Sequence, residues 1–144
     1  MKTKLHATAG GIGFLMILVF WTSTITSELF ASHETVAEIK ALVLRGMYIL
    51  IPAMVIAGGS GMSLGRRRKD PMTKAKKRRM PMIALNGLLV LLPAAWFLAG
   101  KAAAGEFDTL FYIVQSVELI AGAANLTMMG LNIRDGLKMT GKLR

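Results

Sequence analysis

The sequence predicts an all-α fold: a polytopic membrane protein, residues 1–144 forming one four-helix transmembrane bundle with both termini in the cytoplasm. Three observations predict it. First, 53% of the residues are hydrophobic and mean hydropathy is +0.51, too apolar for a soluble domain of this length. Second, four apolar runs, at about 7–27, 41–64, 82–100 and 109–131, match the length needed to cross about 30 Å of hydrocarbon at 1.5 Å per residue. Third, the charge is one-sided. Fifteen of the 18 Lys and Arg residues fall on one face of a four-pass chain: Lys2, Lys4, nine in the segment 65–81, Arg134, Lys138, Lys142 and Arg144. The other face receives Lys40, Arg45 and Lys101 beside Glu28, Glu34, Glu38, Glu106 and Asp108. Cationic loops resist translocation, so the basic face is expected to be the cytoplasmic face of a bacterial inner membrane. That distribution also turns the net charge of +10 away from nucleic acid as a partner.

The first run, Ala7–Ser27, carries no charge and is too long for a cleaved signal segment, so it reads as a retained helix. Its far half is hydroxylic, with Thr22, Ser23, Thr24, Thr26 and Ser27, which suits the inside of a bundle. Residues 28–40 read as a short acidic connection outside the membrane. In the second run Pro52 is expected to bend the helix, and Ala53, Ala57, Gly61 and Gly65 form a small-residue ridge suited to close approach of another helix. That ridge predicts self-association or entry into a larger membrane complex, with packing inside the same bundle as the alternative. Residues 65–81 read as a cytoplasmic basic loop. Arg66, Arg67, Arg68, Lys76, Lys77, Arg78 and Arg79 are its candidates for contact with anionic lipid headgroups. The third run is marked only by Asn86, Pro93 and Trp96, and the short link 101–108 makes helices three and four antiparallel neighbours.

The fourth run is the most informative. Gln115, Glu118, Gly122, Asn125, Met129 and Asn132 follow at spacings of three and four, so they form one helical stripe. Facing lipid, its polar groups would be costly, so the stripe points inward. Glu118 lies about 13–14 Å below the start of its run, near the midplane. There a carboxyl either finds a partner or takes up a proton. Arg45, about 6 Å deep, reaches inward toward Gln115 and Glu118 or outward toward Glu28 and Glu38. In the inward case Arg45, Tyr48, Gln115, Glu118 and the Thr22 and Thr26 hydroxyls enclose one polar pocket, and Asn125 continues its stripe.

No cysteine is present, which excludes disulfides and thiolate metal sites. No metal site is expected, because His33, Glu34 and Glu28 do not make the three or four placed ligands that zinc needs. His6 and His33 are about 40 Å apart along a helix and cannot share one haem within a chain. The first two helices resemble the copper-resistance-D and protoporphyrinogen-oxidase-J group of small membrane proteins. The residues that carry the likeness are Leu5-His6, Phe20-Trp21, Arg45-Gly46-Met47 and Pro52-Ala53. The resemblance implies haem or porphyrin binding with His6 as an axial ligand; the third run departs from the group in holding no lysine within 82–100. The whole layout is also similar to small uncharacterised bacterial inner-membrane proteins. Three functional classes follow: a non-enzymatic bundle that binds a ligand or partner or serves as an accessory subunit, a haem- or porphyrin-binding redox protein using His6, and a proton- or cation-coupled transporter using Glu118. The residues favour the first, since no set meets the geometry of a catalytic constellation.

Overall fold

In the computed structural model, which describes residues 2–143, the chain is helical almost throughout. Helix α1 spans Lys2–Phe30 and α2 His33–Gly65; α3, Pro71–Asn86, passes through a π turn, Gly87–Leu91, into α4, Leu92–Ala103; α5 spans Thr109–Met139. Taking α3 and α4 as one crossing, four helices are each long and apolar enough to cross a membrane, and this is a multi-pass membrane protein. Arg144 and the Lys2 side chain, both counted in the charge pattern, lie outside what is described.

The helices begin and end where local chemistry stops or starts them. Ser32 caps α2 by accepting a hydrogen bond from the Thr35 amide at 3.3 Å. The turn between α1 and α2 is therefore residues 31–32, and the expected acidic connection over 28–40 is mostly helix. Asp70 caps α3, taking the Thr73 amide and the Thr73 hydroxyl at 2.9 Å each, and Pro71 fits the first turn because its missing N–H is unused there. The basic stretch expected as a loop is helical from Pro71 onward, leaving only residues 66–70 outside helix. The π turn precedes Pro93, which cannot donate to the carbonyl of residue 89 and crowds it; widening the turn accommodates both. Asp108 caps α5 through the Phe111 amide at 2.9 Å, after a link in which Gly105 adopts a φ of 72°.

The four crossings stand in a ring: α1 packs on α2 and α5, α2 on the third crossing, and the third crossing on α5. Across the diagonals, the backbones of α1 and the third crossing, and of α2 and α5, stay more than 8 Å apart between Cα atoms among the described residues, and only side chains meet there. At the acidic end Val36, Leu98, Ala102 and Phe111 close the ring, with Phe97, Phe107 and Val114 against them. Halfway along, Ile17, Leu50, Ile83 and Met129 make a second cluster, joined by Phe14, Phe20 and Met54. Outward faces are apolar (Leu15, Val19, Ile49, Leu89 and Ile120 are exposed), as a lipid-facing surface requires.

The ridge on α2 lies inside this ring. Ala53, Ala57 and Gly65 are buried, and a Cβ at Gly61 would come 2.6 Å from Met80 Cε and 2.9 Å from His6 Cε1. Within the chain it receives α1 and α3, through His6 and Met80.

Candidate functional site

Between the helices lies a cavity of about 960 Å³, lined along most of the bundle's length and open at its side where Val55, Met62 and Leu88 are exposed. Its middle is built from methionine, leucine, isoleucine and glycine, with Met54, Met80 and Met129 reaching in from three helices. Lys4, Arg68, Lys76, Lys77 and Lys142 line its basic end, while Glu118 at the far end is the one carboxylate among its lining residues. The helix glycines are part of its width: a Cβ at Gly10 or Gly11 would meet nothing within 4 Å.

At the far end the Glu118 carboxylate accepts Lys40 Nζ at 2.8 Å and Gln115 Nε2 at 2.8 Å, both on Oε2. The Lys40 side chain is 2% exposed and that of Glu118 13%. The cation beside Glu118 is thus Lys40, which α2 carries inward because the helix already runs from His33. Arg45 and Tyr48, the alternative partners, are exposed on the outside of α2, and the pocket does not include them. Residue type alone points to Arg45, and its depth leaves it free to turn inward or outward; the signal for Lys40 is helical phase, since Val36, Lys40 and Val43 share the buried face of α2.

The rest of the stripe points inward. Gln115 and Asn125 are 4% and 1% exposed. Asn125 is held structurally: its side-chain oxygen takes Asn86 Nδ2 at 2.9 Å, and Asn86 Nδ2 also donates to the Ala121 carbonyl at 2.8 Å, which ties α3 to α5 beside the π turn. Of the hydroxyl cluster, Thr24 and Ser27 are buried. Thr22 and Thr26 are exposed and donate back to their own helix, to Leu18 and Thr22 carbonyls respectively. Trp21 donates to the Leu119 carbonyl at 2.9 Å, over Gly122, where a Cβ would lie 2.9 Å from Trp21 Cδ1.

At the basic end His6 donates from Nδ1 to the Ala57 carbonyl at 3.0 Å and lies 3.2 Å from Ser60 Oγ. A carbonyl only accepts, so Nδ1 carries a proton, and in the neutral imidazole Nε2 then keeps its lone pair. Arg79 is held by Asp135 at 2.7 Å and by Asn132 at 3.3 Å, binding α3 to α5. Lys77 donates to the Arg68 carbonyl at 3.3 Å, whereas Arg66, Arg67 and Arg78 are exposed. Asp70, outside the membrane segments, has a carboxyl held below its ordinary range by the Thr73 amide and hydroxyl. Among the described residues no three of His, Asp or Glu converge on one point.

No known protein family, curated protein or solved structure matches this chain.

Proposed function

We propose that this protein is a non-enzymatic membrane bundle that binds an amphiphilic anion, an elongated apolar body with an acidic head. The observation that carries this reading is the cavity's polarity. Its apolar middle suits a chain or flat ring system, and its volume lies in the range of ligand sites, about 300–1,000 Å³. Lys76 lines the basic end without an ion-pair partner among the described residues, beside Lys4 and Lys142. An acidic head placed there gains charge-assisted hydrogen bonds, and the apolar body buries surface that otherwise faces the cavity. On the charge pattern, the basic end faces the cytoplasm of a bacterial inner membrane, where anionic headgroups meet Arg66, Arg67 and Arg78.

A porphyrin belongs to the same ligand class, and one arrangement favours it. His6 Nδ1 bonded to the Ala57 carbonyl is how a metal-bound imidazole is oriented, leaving Nε2 for an iron. A bound haem would supply one-electron chemistry; the Ala57 carbonyl would hold the His6 imidazole for it, and Lys76 and Lys142 would be its candidate partners for the propionates. This arrangement is what supports the likeness of the first two helices to the copper-resistance-D and protoporphyrinogen-oxidase-J group.

The test is thermal stability of the purified protein in zwitterionic nanodiscs with a long-chain alkyl phosphate, against an alkyl trimethylammonium of equal length. The anion raises Tm and the cation does not. Gly10→Leu, which fills the cavity, and Lys76→Glu, which reverses its end charge, each weaken the effect about tenfold. Equal response to both amphiphiles, or to neither, overturns the reading. Added haem gives a Soret band that His6→Ala removes if the porphyrin is the occupant; a colourless protein that still binds the alkyl phosphate limits the ligand to a lipid-like anion.

A further inference from the structure

Two buried side-chain oxygens find no hydrogen-bond partner among the described residues, Glu28 Oε1 and Gln115 Oε1. Both belong to the acidic end of the ring. Helices α1 and α5 run antiparallel with Trp21 against Leu119 and Gly122. Seven residues further along α1, about 10 Å, Glu28 comes level with the α5 turn that carries Gln115. The charged groups acting on Glu28 are Lys40 and His33 from α2 and Glu118 from α5. Of these, Lys40 is already taken by Glu118 at 2.8 Å, and His33 is exposed, stacked on Phe107 with ring centroids 3.9 Å apart.

The cluster therefore holds two carboxyls and one buried ammonium, with two acceptor oxygens left over. A fully ionised cluster would leave the second carboxylate without a cation of its own and with one oxygen buried and unpaired, which is disfavoured. The orphaned oxygens are buried, so neither an ammonium-bearing ligand nor a hydrated metal ion reaches them without displacing packed side chains. A proton needs no room. Placed on Glu28, it turns one orphaned acceptor into a donor, and the Gln115 oxygen, level with it on α5, is an acceptor without a donor.

We propose that Glu28, Lys40, Gln115 and Glu118 form a one-proton binding site, in which the proton resides on Glu28 and is donated to Gln115 Oε1 while Glu118 stays ionised against Lys40. This inference is independent of what fills the cavity. It moves the protonated carboxyl from the midplane of α5 to the end of α1, where exchange with the aqueous face requires no path through the bundle.

The experiment is infrared difference spectroscopy of the full chain in nanodiscs between pH 5 and 9, reading the carboxylic-acid C=O band and its shift in deuterated buffer. Wild type shows one acid carbonyl at pH 7. Glu28→Gln, which copies the protonated group in shape, removes the band and keeps the fold. Lys40→Met, which strips Glu118 of its cation, about doubles it. The other carboxyls do not interfere: Asp135 is paired with Arg79, and Glu34, Glu38, Glu106, Asp70 and Asp108 are exposed. A wild type without an acid band across this range overturns the proposal, as does a band undiminished in Glu28→Gln. Stabilisation by sodium ions with no acid band overturns it too, in favour of a metal cation at the same oxygens.

Discussion

Lys40 shows how one residue's phase decides the electrostatics of a membrane bundle. Taking its ammonium from water to 2% exposure costs several kcal/mol, and the Glu118 carboxylate at 2.8 Å, itself bonded by Gln115, offsets that cost. Removing one partner is therefore worse than removing both. Lys40→Met is expected to lower stability by about 3–5 kcal/mol, and adding Glu118→Leu to recover most of the loss. Equilibrium unfolding in bicelles measures this. A Lys40→Met variant within about 1 kcal/mol of wild type would mean the ammonium does not sit against Glu118. Gln115 belongs to the same unit, since its amide nitrogen holds Glu118 while its oxygen is left free.

At the scale of elements, the caps set where each crossing starts. Asp108 accepts the Phe111 amide and is itself clamped by Lys101 Nζ at 2.7 Å, which also holds Glu106 at 2.8 Å. The Lys101 hydrogen bond, and after it the Phe111 amide, keep the Asp108 carboxyl below its ordinary range. A depressed folded-state pKa stabilises above the unfolded value and loses that contribution as pH falls through the folded one. The first turn of α5 should hold its Phe111 amide protection down to about pH 4, the ordinary Asp range, and fray below it. NMR protection factors read this directly. Asp108→Ala is expected to fray the turn at every pH and to abolish the acid dependence, whereas Asp108→Asn keeps the cap and loses the clamp. Protection unchanged in Asp108→Ala would show that packing of Phe111 alone holds the turn.

For the whole molecule, the distribution of charge and the shape of the cavity point the same way. The ring closes at its acidic end on Phe111, Leu98 and Val36, while the cavity continues to the lysines of the basic end. With the basic end on the cytoplasmic side, as proposed, a ligand that takes its head from that leaflet would enter there. Orientation is thus part of the functional reading. A reporter active only in the cytoplasm should work when joined to the C-terminus and stay silent when inserted after Ala104; the reverse pattern would put the cationic end of the cavity outside and remove the leaflet it is proposed to meet.

Four apolar runs separated by polar breaks determine four helices, because in hydrocarbon only helices and closed barrels satisfy the backbone and runs of about 20 residues have a helix's length, and helical spacing alone turns the Gln115–Asn132 stripe inward. Both were legible residue by residue. Partnership across helices was not. Small residues at Ala53, Ala57 and Gly61 announce a close approach but not whose helix approaches, and only the ring order assigns it to α1 and α3 of the same chain. A basic run announces sidedness but not that Asp70 caps it into helix. A carboxyl at depth announces a partner but not which one. The Ser32 cap makes Lys40 part of α2, and the packing of α2 turns Lys40 to the inside and Arg45 to the outside. Periodicity is a property of one helix and is written in its sequence; rotation of one helix against the next is a property of packing, and only the tertiary structure contains it.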